Sequence, residues 1–273
     1  MISVNGRVID LTKFPDGTMS FRCDIYDVSQ AAKKQESEIV WKYEGEHECM
    51  ALWYLSKHLK NYHGDNHDIF LTLHYVPNAR MDRVKHDDEV FTLKWFAEFI
   101  NSLNFAGVYV MDPHSNVTTA LIDRVAVDSP KDIIENVLYI METAGIDPII
   151  CYPDEGASKR YSEMIFGDYT FCVKRRDWRT GDIQGTSLMD PEKVKDRNVL
   201  IIDDICSRGG TFMHTAKALK EAGAEKIYLY VTHCENTITK GDVLTSGLIE
   251  HVFTTDSIFT AEVDEKLMTV YKI

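Results

Sequence analysis

The sequence lacks long hydrophobic runs, clustered cysteines and an excess of positive charge. No apolar run approaches the ~18 residues of a membrane-spanning helix, and the first residues show no signal-peptide pattern of a basic start followed by an apolar stretch. The formal net charge is −13 without a basic stripe or arm, which argues against nucleic acid as the main partner. We therefore expect a cytoplasmic protein that binds neither a membrane nor nucleic acid.

The cysteines exclude two further classes of protein. All six are scattered along the chain, and none forms a C-x-x-C pair. This pattern is typical of free thiols in a reducing compartment and argues against a disulfide framework or a zinc site.

The chain is long enough, and apolar enough, to form a core. Its 273 residues, 44% of them hydrophobic, are enough for one large or two medium domains with a substantial core.

A short apolar run in the second half of the chain, Val199 to Ile202, is typical of a buried parallel strand. The run ends at two carboxylates, Asp203 and Asp204, which suit ribose hydroxyls or a magnesium ion. A loop over residues 205–210 follows, and the spacing of the apolar residues then predicts a helix from Thr211 to Ala222.

This succession of strand, loop and helix predicts an anion site. The first turn of a helix carries free backbone N–H groups and the positive end of the helix dipole. Gly209 and Gly210 allow the backbone to approach a phosphate closely. The competing interpretation is a solvated pair of aspartates before an ordinary turn. A buried strand that opens into Asp-Asp, a loop and Gly-Gly-Thr is more specific than a lone glycine motif.

Strand-like and helix-like patterns alternate along the rest of the chain. The predicted strands cover residues 69–75, 108–111, 149–152, 170–173, 227–232, 251–254 and 267–271, and predicted helices cover 46–61, 89–104 and 130–144. This alternation predicts an α/β fold with parallel sheets, and we place the domain boundary near Asp128. The polar residues 27–38 are interpreted as a surface segment and residues 153–160 as a turn, while residues 175–190, which are polar and lack periodicity, are interpreted as a mobile loop.

Polar residues follow several of the predicted strands. These residues are Arg80 and Asp82, then His114, then Asp154 in a Pro-Asp-Glu-Gly turn, then the basic triplet Lys174-Arg175-Arg176. Taken singly, each is an ordinary surface turn, solvated histidine or solvated basic face. Sites of α/β proteins assemble at such strand ends, however. There the basic triplet could clamp a triphosphate, and the Asp154 turn could hold a metal ion or a diphosphate, or be only a turn.

The order of the motifs resembles the ribose-phosphate pyrophosphokinase family, which makes phosphoribosyl diphosphate (PRPP). The matching motifs are Phe14-Pro-Asp-Gly, Asn78-Ala-Arg-Met-Asp-Arg, Asp112-Pro-His-Ser, the Asp154 turn, Lys174-Arg-Arg, and Asp203-Asp with Gly-Gly-Thr. The resemblance covers nearly the whole chain, as a short form without the family's first strand and helix and its final helix. The loop after Asp204 also resembles the PRPP loop of type I phosphoribosyltransferases.

The resemblance implies two phosphoribosyltransferase-like (Rossmann-like) domains with mainly parallel sheets and the active site between them. Residues 1–128 would form the ATP-side domain, to which a C-terminal strand, 265–273, would return. Residues 129–264 would form the domain with the ribose-phosphate loop. The family also implies homo-oligomers and magnesium-dependent transfer of the β,γ-diphosphoryl group of ATP to the anomeric hydroxyl of ribose 5-phosphate.

The resemblance also implies roles for individual residues. Lys174, Arg176 and His114 would be catalytic; Phe14, Asp16, Arg80, Asp82 and His114 would bind ATP; His114 and Asp154 would serve Mg²⁺; and Asp203, Asp204, Ser207, Arg208, Gly209, Gly210 and Thr211 would bind the ribose and its phosphate. Phe14 and Asp16 would reach the adenine from a neighbouring subunit. Transfer of this kind needs positioning and charge neutralisation more than a covalent nucleophile.

One departure from the family pattern leaves the acceptor open. Ser207-Arg208 stands where the family usually has Asp-Thr. The acceptor is therefore either ribose 5-phosphate or a larger 5′-substituted ribose such as ADP-ribose. Arg208 would neutralise the extra phosphate of the larger acceptor. With ADP-ribose as acceptor, the enzyme would belong to NAD salvage. Two alternatives of other classes are a PRPP-consuming phosphoribosyltransferase and a non-catalytic, synthetase-like regulatory subunit.

Overall fold

The chain folds as two α/β units. The structure, a computed structural model, describes residues 1–23, 36–176 and 183–273. Internal contacts divide it into Met1–Asp128 and Ser129–Ile273. Each unit has a mainly parallel sheet, which confirms the predicted fold class. In the described part of the chain, none of the helices has the length and apolar character to cross a membrane.

The first unit is built on a six-stranded sheet with the order β2-β1-β5-β6-β7-β8. Its strands are β1 (Ile2–Val4), β2 (Arg7–Val8), β5 (Glu36–Trp41), β6 (Asp68–Leu73), β7 (Gly107–Met111) and β8 (Val125–Asp128). Its helices are α1 (His47–His63), α2 (Thr92–Ser102) and α3 (Asn116–Leu121). Strands β5 to β8 are parallel, and β1 pairs antiparallel with β2 and β5. A separate hairpin joins β3 (Thr12–Lys13) to β4 (Met19–Ser20).

Strand β5 corrects the prediction of a polar surface segment up to residue 38. In β5, Ser37, Ile39 and Trp41 are buried, whereas Glu36 and Glu38 are exposed. Period-two alternation of this kind marks a strand that covers a core with one face. The signal was missed because the strand is short and begins with charged residues. Part of that segment, residues 27–35, lies outside the described residues.

The second unit has a seven-stranded sheet with the order β11-β10-β9-β12-β13-β14-β15. Its strands are β9 (Pro148–Tyr152), β10 (Tyr169–Arg176), β11 (Ile183–Leu188), β12 (Asn198–Cys206), β13 (Ile227–Cys234), β14 (His251–Thr255) and β15 (Met268–Tyr271). Its helices are α4 (Lys131–Thr143), α5 (Glu155–Tyr161) and α6 (Gly210–Glu221), with 3-10 turns at Pro191–Val194 and Asn236–Lys240. Only β11 pairs antiparallel among these neighbours. Every residue of β13 is buried, because apolar clusters cover both faces of the sheet.

The predicted return of strand 265–273 to the first domain is wrong. Strand β15 pairs in parallel with β14, with Val252 opposite Met268. Met268 is 3% exposed and belongs to the apolar cluster of the second unit. The chain therefore ends at the edge of the second sheet, because a short apolar strand is buried most simply beside its predecessor.

Two loop predictions in this unit are also corrected. Residues 155–160 of the predicted turn lie in helix α5, whose first turn is capped by the side chain of Asp154. Part of the predicted loop 175–190 is strand: β10 runs to Arg176, and β11 (Ile183–Leu188) pairs antiparallel with it. Residues 177–182 of that loop lie outside the described residues.

Candidate functional site

The carboxyl ends of β9, β12, β13 and β14 lie along one edge of the second sheet, because these strands are parallel neighbours. Side chains at this edge of an α/β sheet are placed to meet a ligand. This edge carries the predicted ribose-phosphate segment, which begins in the last residues of β12, and Asp154, which follows β9. Both motifs thus lie at an edge where the fold brings strand ends together.

Strand β12 is longer than predicted. It does not end at Asp203 and Asp204 but pairs with β13 as far as Cys206, opposite Cys234. The loop is therefore shorter, and α6 begins at Gly210. Gly209 precedes the helix with a φ of 82°, a left-handed conformation that favours glycine. This conformation turns the chain into the helix, whose first backbone N–H groups and dipole form an anion cradle.

Two glycines fit this loop tightly against the segment that follows β13. A Cβ atom on Gly209 would lie 2.0 Å from Cγ2 of Val243, and a Cβ atom on Gly241 would lie 2.0 Å from the carbonyl oxygen of Arg208. Neither position can carry a side chain without moving its neighbour. The loop is therefore held in shape by the 241–243 segment, which the sequence analysis did not assign to the site.

The hydroxyl of Ser207 is engaged by the protein itself. Its Oγ lies 3.0 Å from Oγ1 of Thr237, which donates to Oε2 of Glu235 at 3.0 Å. The backbone N–H of Glu235 donates to the carbonyl oxygen of Cys206 at 2.8 Å. Ser207 thus anchors the loop to the end of β13, whereas the side chain of Arg208 is exposed.

Arg160 is the main site residue that sequence reasoning missed. It lies in the last turn of α5, and its Nη2 is 3.1 Å from Asp203 Oδ1 and 2.6 Å from Asp204 Oδ1. Burial and the neighbouring carboxylate of Asp204 raise the pKa of Asp203, and the guanidinium of Arg160 offsets part of that rise. Burial would lower the pKa of Arg160, but the carboxylates beside it raise that pKa above its ordinary value.

Asp154 lies at the same edge as the N-cap of α5. Its Oδ1 accepts a hydrogen bond from the backbone N–H of Ala157 at 3.0 Å. This cap explains why a helix starts in a Pro-Asp-Glu-Gly sequence that reads as a turn.

A buried polar cluster closes the far side of the edge. His233 Nδ1 lies 2.9 Å from Ser257 Oγ, and Thr255 donates to the carbonyl oxygen of Thr232 at 2.7 Å. All four residues are at most 2% exposed. They join the ends of β13 and β14 and keep the site edge rigid.

The predicted ATP-side residues lie in the first unit, in three places. Asp82 is 6% exposed and takes two hydrogen bonds from Arg83, at 2.8 and 3.0 Å, so Arg83 lowers its pKa. Arg80 is exposed in the same loop, and His114 is half-buried after β7. The charge of His114 also acts on Asp82, so the structure brings these two predicted residues near each other.

The third place is the β3–β4 hairpin. Phe14 is 51% exposed at its turn. Asp16 accepts hydrogen bonds from the N–H and hydroxyl of Thr18 at 2.9 and 2.7 Å, which lowers its pKa. The turn is thus preformed, and its aromatic ring is presented to solvent.

Lys174 and Arg176 lie in β10 rather than in a loop. The backbone of β10 pairs with β11 through Arg176, with a register shift between Arg175 and Arg176. Their side chains lie outside the described part of the structure. Their predicted role over the transferring group stays a prediction.

A preformed metal centre is absent from the described residues: residues 1–23, 36–176 and 183–273 contain no group of three or more His, Cys, Asp or Glu that could hold an ion. Mg²⁺ usually keeps several waters and binds through one or two carboxylates plus substrate phosphates. Asp154, a single carboxylate at the site edge, fits that mode of binding and does not fit an all-protein cage.

Comparisons with known proteins agree with this geometry. The family model "Phosphoribosyl transferase domain" matches residues 168–249, the part of the chain that contains β12, the loop and α6. The ribose-phosphate pyrophosphokinase of Thermococcus kodakarensis is 33% identical over 189 residues, 67% of this chain and 61% of that protein. The ribose-phosphate pyrophosphokinase of Sulfolobus acidocaldarius is 26% identical over 194 residues, 70% of this chain and 65% of that protein.

The chain thus spans about three fifths of the length of these curated relatives. In fold, it is similar to the crystal structure of phosphoribosylpyrophosphate synthetase from Mycobacterium smegmatis. The TM-score is 0.72 at 18% identity, over 97% of this chain and 86% of that one. The chain is thus similar in sequence to curated ribose-phosphate pyrophosphokinases and similar in fold to a phosphoribosylpyrophosphate synthetase.

Proposed function

We propose that this protein is an ATP-dependent diphosphotransferase that moves the β,γ-diphosphoryl group of ATP to the anomeric hydroxyl of a ribose phosphate, with AMP as the second product. One observation carries the proposal: strand β12 carries two carboxylates near its carboxyl end, and it is followed by a short loop at a helix N-terminus, with Gly209 in a left-handed conformation. The cradle suits the 5′ phosphate of the acceptor, and Asp203 and Asp204 suit its ribose hydroxyls.

Other residues would serve ATP in this proposal. Phe14 and Asp16, on the exposed β3–β4 hairpin, would meet the adenine of a neighbouring copy in a homo-oligomer, and Arg80 and Asp82 would meet the ATP of their own chain. His114 and Asp154 would hold Mg²⁺, which when bound supplies charge neutralisation to the ATP phosphates. Lys174 and Arg176 would close over the transferring group.

The acceptor is proposed to be ribose 5-phosphate or ADP-ribose. The names of the curated relatives support ribose 5-phosphate. The exposed Arg208 supports the larger acceptor, because its guanidinium can neutralise a second phosphate. With ADP-ribose, the reaction would belong to NAD salvage.

The test is AMP release from ATP and Mg²⁺ with a panel of ribose acceptors. We expect AMP that depends on ribose 5-phosphate or on ADP-ribose, and the ratio between them identifies the acceptor. The same protein is incubated with PRPP and each nucleobase. Diphosphate release from PRPP in this second assay, without AMP release in the first, would contradict the proposal and indicate a phosphoribosyltransferase. Absence of both reactions would favour a regulatory subunit.

A further inference from the structure

Arg160 reaches the two carboxylates of β12 from a different element. Its Nη2 is 3.1 Å from Asp203 Oδ1 and 2.6 Å from Asp204 Oδ1. The backbone N–H of Asp204 also donates to Asp203 Oδ1 at 3.0 Å. These three hydrogen bonds use only the Oδ1 oxygens.

The carboxylate pair needs a cation in this environment. The side chains of Asp203 and Asp204 are 15% and 3% exposed, so water screens their repulsion poorly. Two adjacent carboxylates at such a site do not both stay ionised without a neighbouring positive charge. Arg160, 22% exposed, offsets part of their repulsion, and its Nη2 holds both Oδ1 oxygens on one side.

The element that carries Arg160 is fixed at its other end. Helix α5 starts at the cap made by Asp154 and ends one residue after Arg160. The guanidinium also lies 5.4 Å from the ring centroid of Tyr161, which is fully buried. A short, anchored helix thus sets the position of the cation relative to β12.

We infer that Arg160 is a positioning residue for the acceptor: it holds Asp203 and Asp204 side by side so that both carboxylates can accept hydrogen bonds from the ribose hydroxyls. It acts through the two aspartates and does not contact the reacting atoms. The inference rests on the proposed function, because that proposal makes ribose the ligand of this pair.

The test is steady-state kinetics of Arg160→Gln, with Lys159→Gln as the matched control. Lys159 is the adjacent residue of α5, is 75% exposed and pairs only with Glu155 among the ion pairs of the described chain. We expect Arg160→Gln to raise the KM for the ribose acceptor about ten- to a hundredfold with the KM for ATP unchanged. Lys159→Gln should leave both values at those of the wild type.

Arg160→Lys provides a rescue experiment. Because one nitrogen of Arg160 makes both contacts, the single ammonium of a lysine can replace part of the bridge. We expect an acceptor KM between those of the wild type and Arg160→Gln. If Arg160→Gln does not fold, as judged by circular dichroism, Arg160→Lys is compared directly with the wild type and should raise the acceptor KM alone.

Three results would overturn the inference. They are equal increases in the KM values for ATP and for the acceptor, the same effect in Lys159→Gln, or a lower acceptor KM in Arg160→Gln, which would make Arg160 a competitor of the acceptor.

Calorimetric binding of ribose 5-phosphate and of ADP-ribose without ATP separates this inference from the proposed function. A wild type that binds one of them but releases no AMP contradicts the reaction, and loss of that binding in Arg160→Gln still supports the positioning role. A wild type that neither binds nor reacts overturns both.

Discussion

Arg208 is one of the positions at which this chain departs from the motif of the pyrophosphokinase family that it resembles. Its neighbours are held: Ser207 by Thr237, Gly209 by contact with Val243, and its own carbonyl oxygen by contact with Gly241. Its side chain is exposed. A change at Arg208 should therefore alter what the loop recognises without altering the loop.

Arg208→Thr tests acceptor choice. A charge-assisted contact with a second phosphate contributes roughly 1.5–3 kcal/mol, so its loss should lower kcat/KM for ADP-ribose about ten- to a hundredfold and spare ribose 5-phosphate. The measurement is the ratio of the two kcat/KM values. Lys217→Gln, which removes one exposed positive charge from α6, should not change that ratio. An unchanged ratio in Arg208→Thr would mean that the arginine only fills the loop.

At the scale of the element, the turn from β12 into α6 depends on one backbone conformation. Gly209→Ala would add a Cβ at a φ of 82° and 2.0 Å from Val243. We expect a loss of roughly 2 kcal/mol or more in the free energy of unfolding, from the left-handed strain and the overpacking together. Gly210→Ala is the control, since its Cβ would have no neighbour within 4 Å. The free energies of unfolding of both variants are measured by urea unfolding. Equal values for Gly209→Ala and Gly210→Ala would contradict the tight fit at Gly209.

The hairpin of β10 and β11 is the element that would bring Lys174 to the transferring group. If Lys174 contacts that group only in the transition state, Lys174→Ala should lower kcat on the order of 100-fold with little change in ATP binding. The control is Lys193→Ala, which removes an exposed lysine that pairs with Asp190 at 3.2 Å. Comparable kcat values in the wild type and Lys174→Ala would remove this residue from the mechanism.

What the sequence predicts at this scale follows from local pattern. The run from Val199 to Ile202 reads as a strand because both faces are covered, and β12 confirms it. Its extension to Cys206 does not follow, since two aspartates normally end a buried strand. They are tolerated here because Arg160 offsets part of their charge, and Arg160 lies 43 and 44 positions away in sequence. Such a contact leaves no periodic signal, so the carboxylates were predictable and their partner was not.

At the scale of the whole molecule, each unit has its own apolar core, and the first unit also buries an ionisable ring. His67 is 6% exposed, its Nε2 is 2.8 Å from Ser37 Oγ, and its ring stacks on that of His63 at 4.2 Å. Burial, followed by the charge of His63, lowers the pKa of His67 below its ordinary value of 6.5, and Asp68 opposes this in part. The folded state therefore favours the neutral ring.

This lowered pKa makes stability depend on pH in a defined direction. Above the unfolded-state pKa of 6.5 the ring is neutral in both states, and its contribution is fully present. As pH falls through 6.5 toward the folded-state pKa, the unfolded chain takes up a proton first and stability is lost. We expect His67→Gln to lose less stability than the wild type between pH 7.5 and pH 5, by about 1.4 kcal/mol for each unit of pKa difference.

Tryptophan fluorescence during urea unfolding suits this measurement, since Trp41, Trp53 and Trp95 all lie in the first unit and the second contains only Trp178. His58→Gln, at an exposed position of α1, serves as the control and should retain the pH dependence of the wild type. A His67→Gln protein with that same dependence would exclude the buried ring as its source.

The tightly packed Gly209 and Gly241 also limit which substitutions this chain can accept during evolution. At Gly209 and Gly241 a first substitution is penalised whichever of the two comes first, because each faces an atom 2.0 Å from where its Cβ would lie. Gradual drift is therefore blocked at both positions, and a selection experiment should recover changes there only together with changes in what they face. A combinatorial library for new acceptors is best spent on Arg208 and the exposed Thr211, with both glycines left invariant.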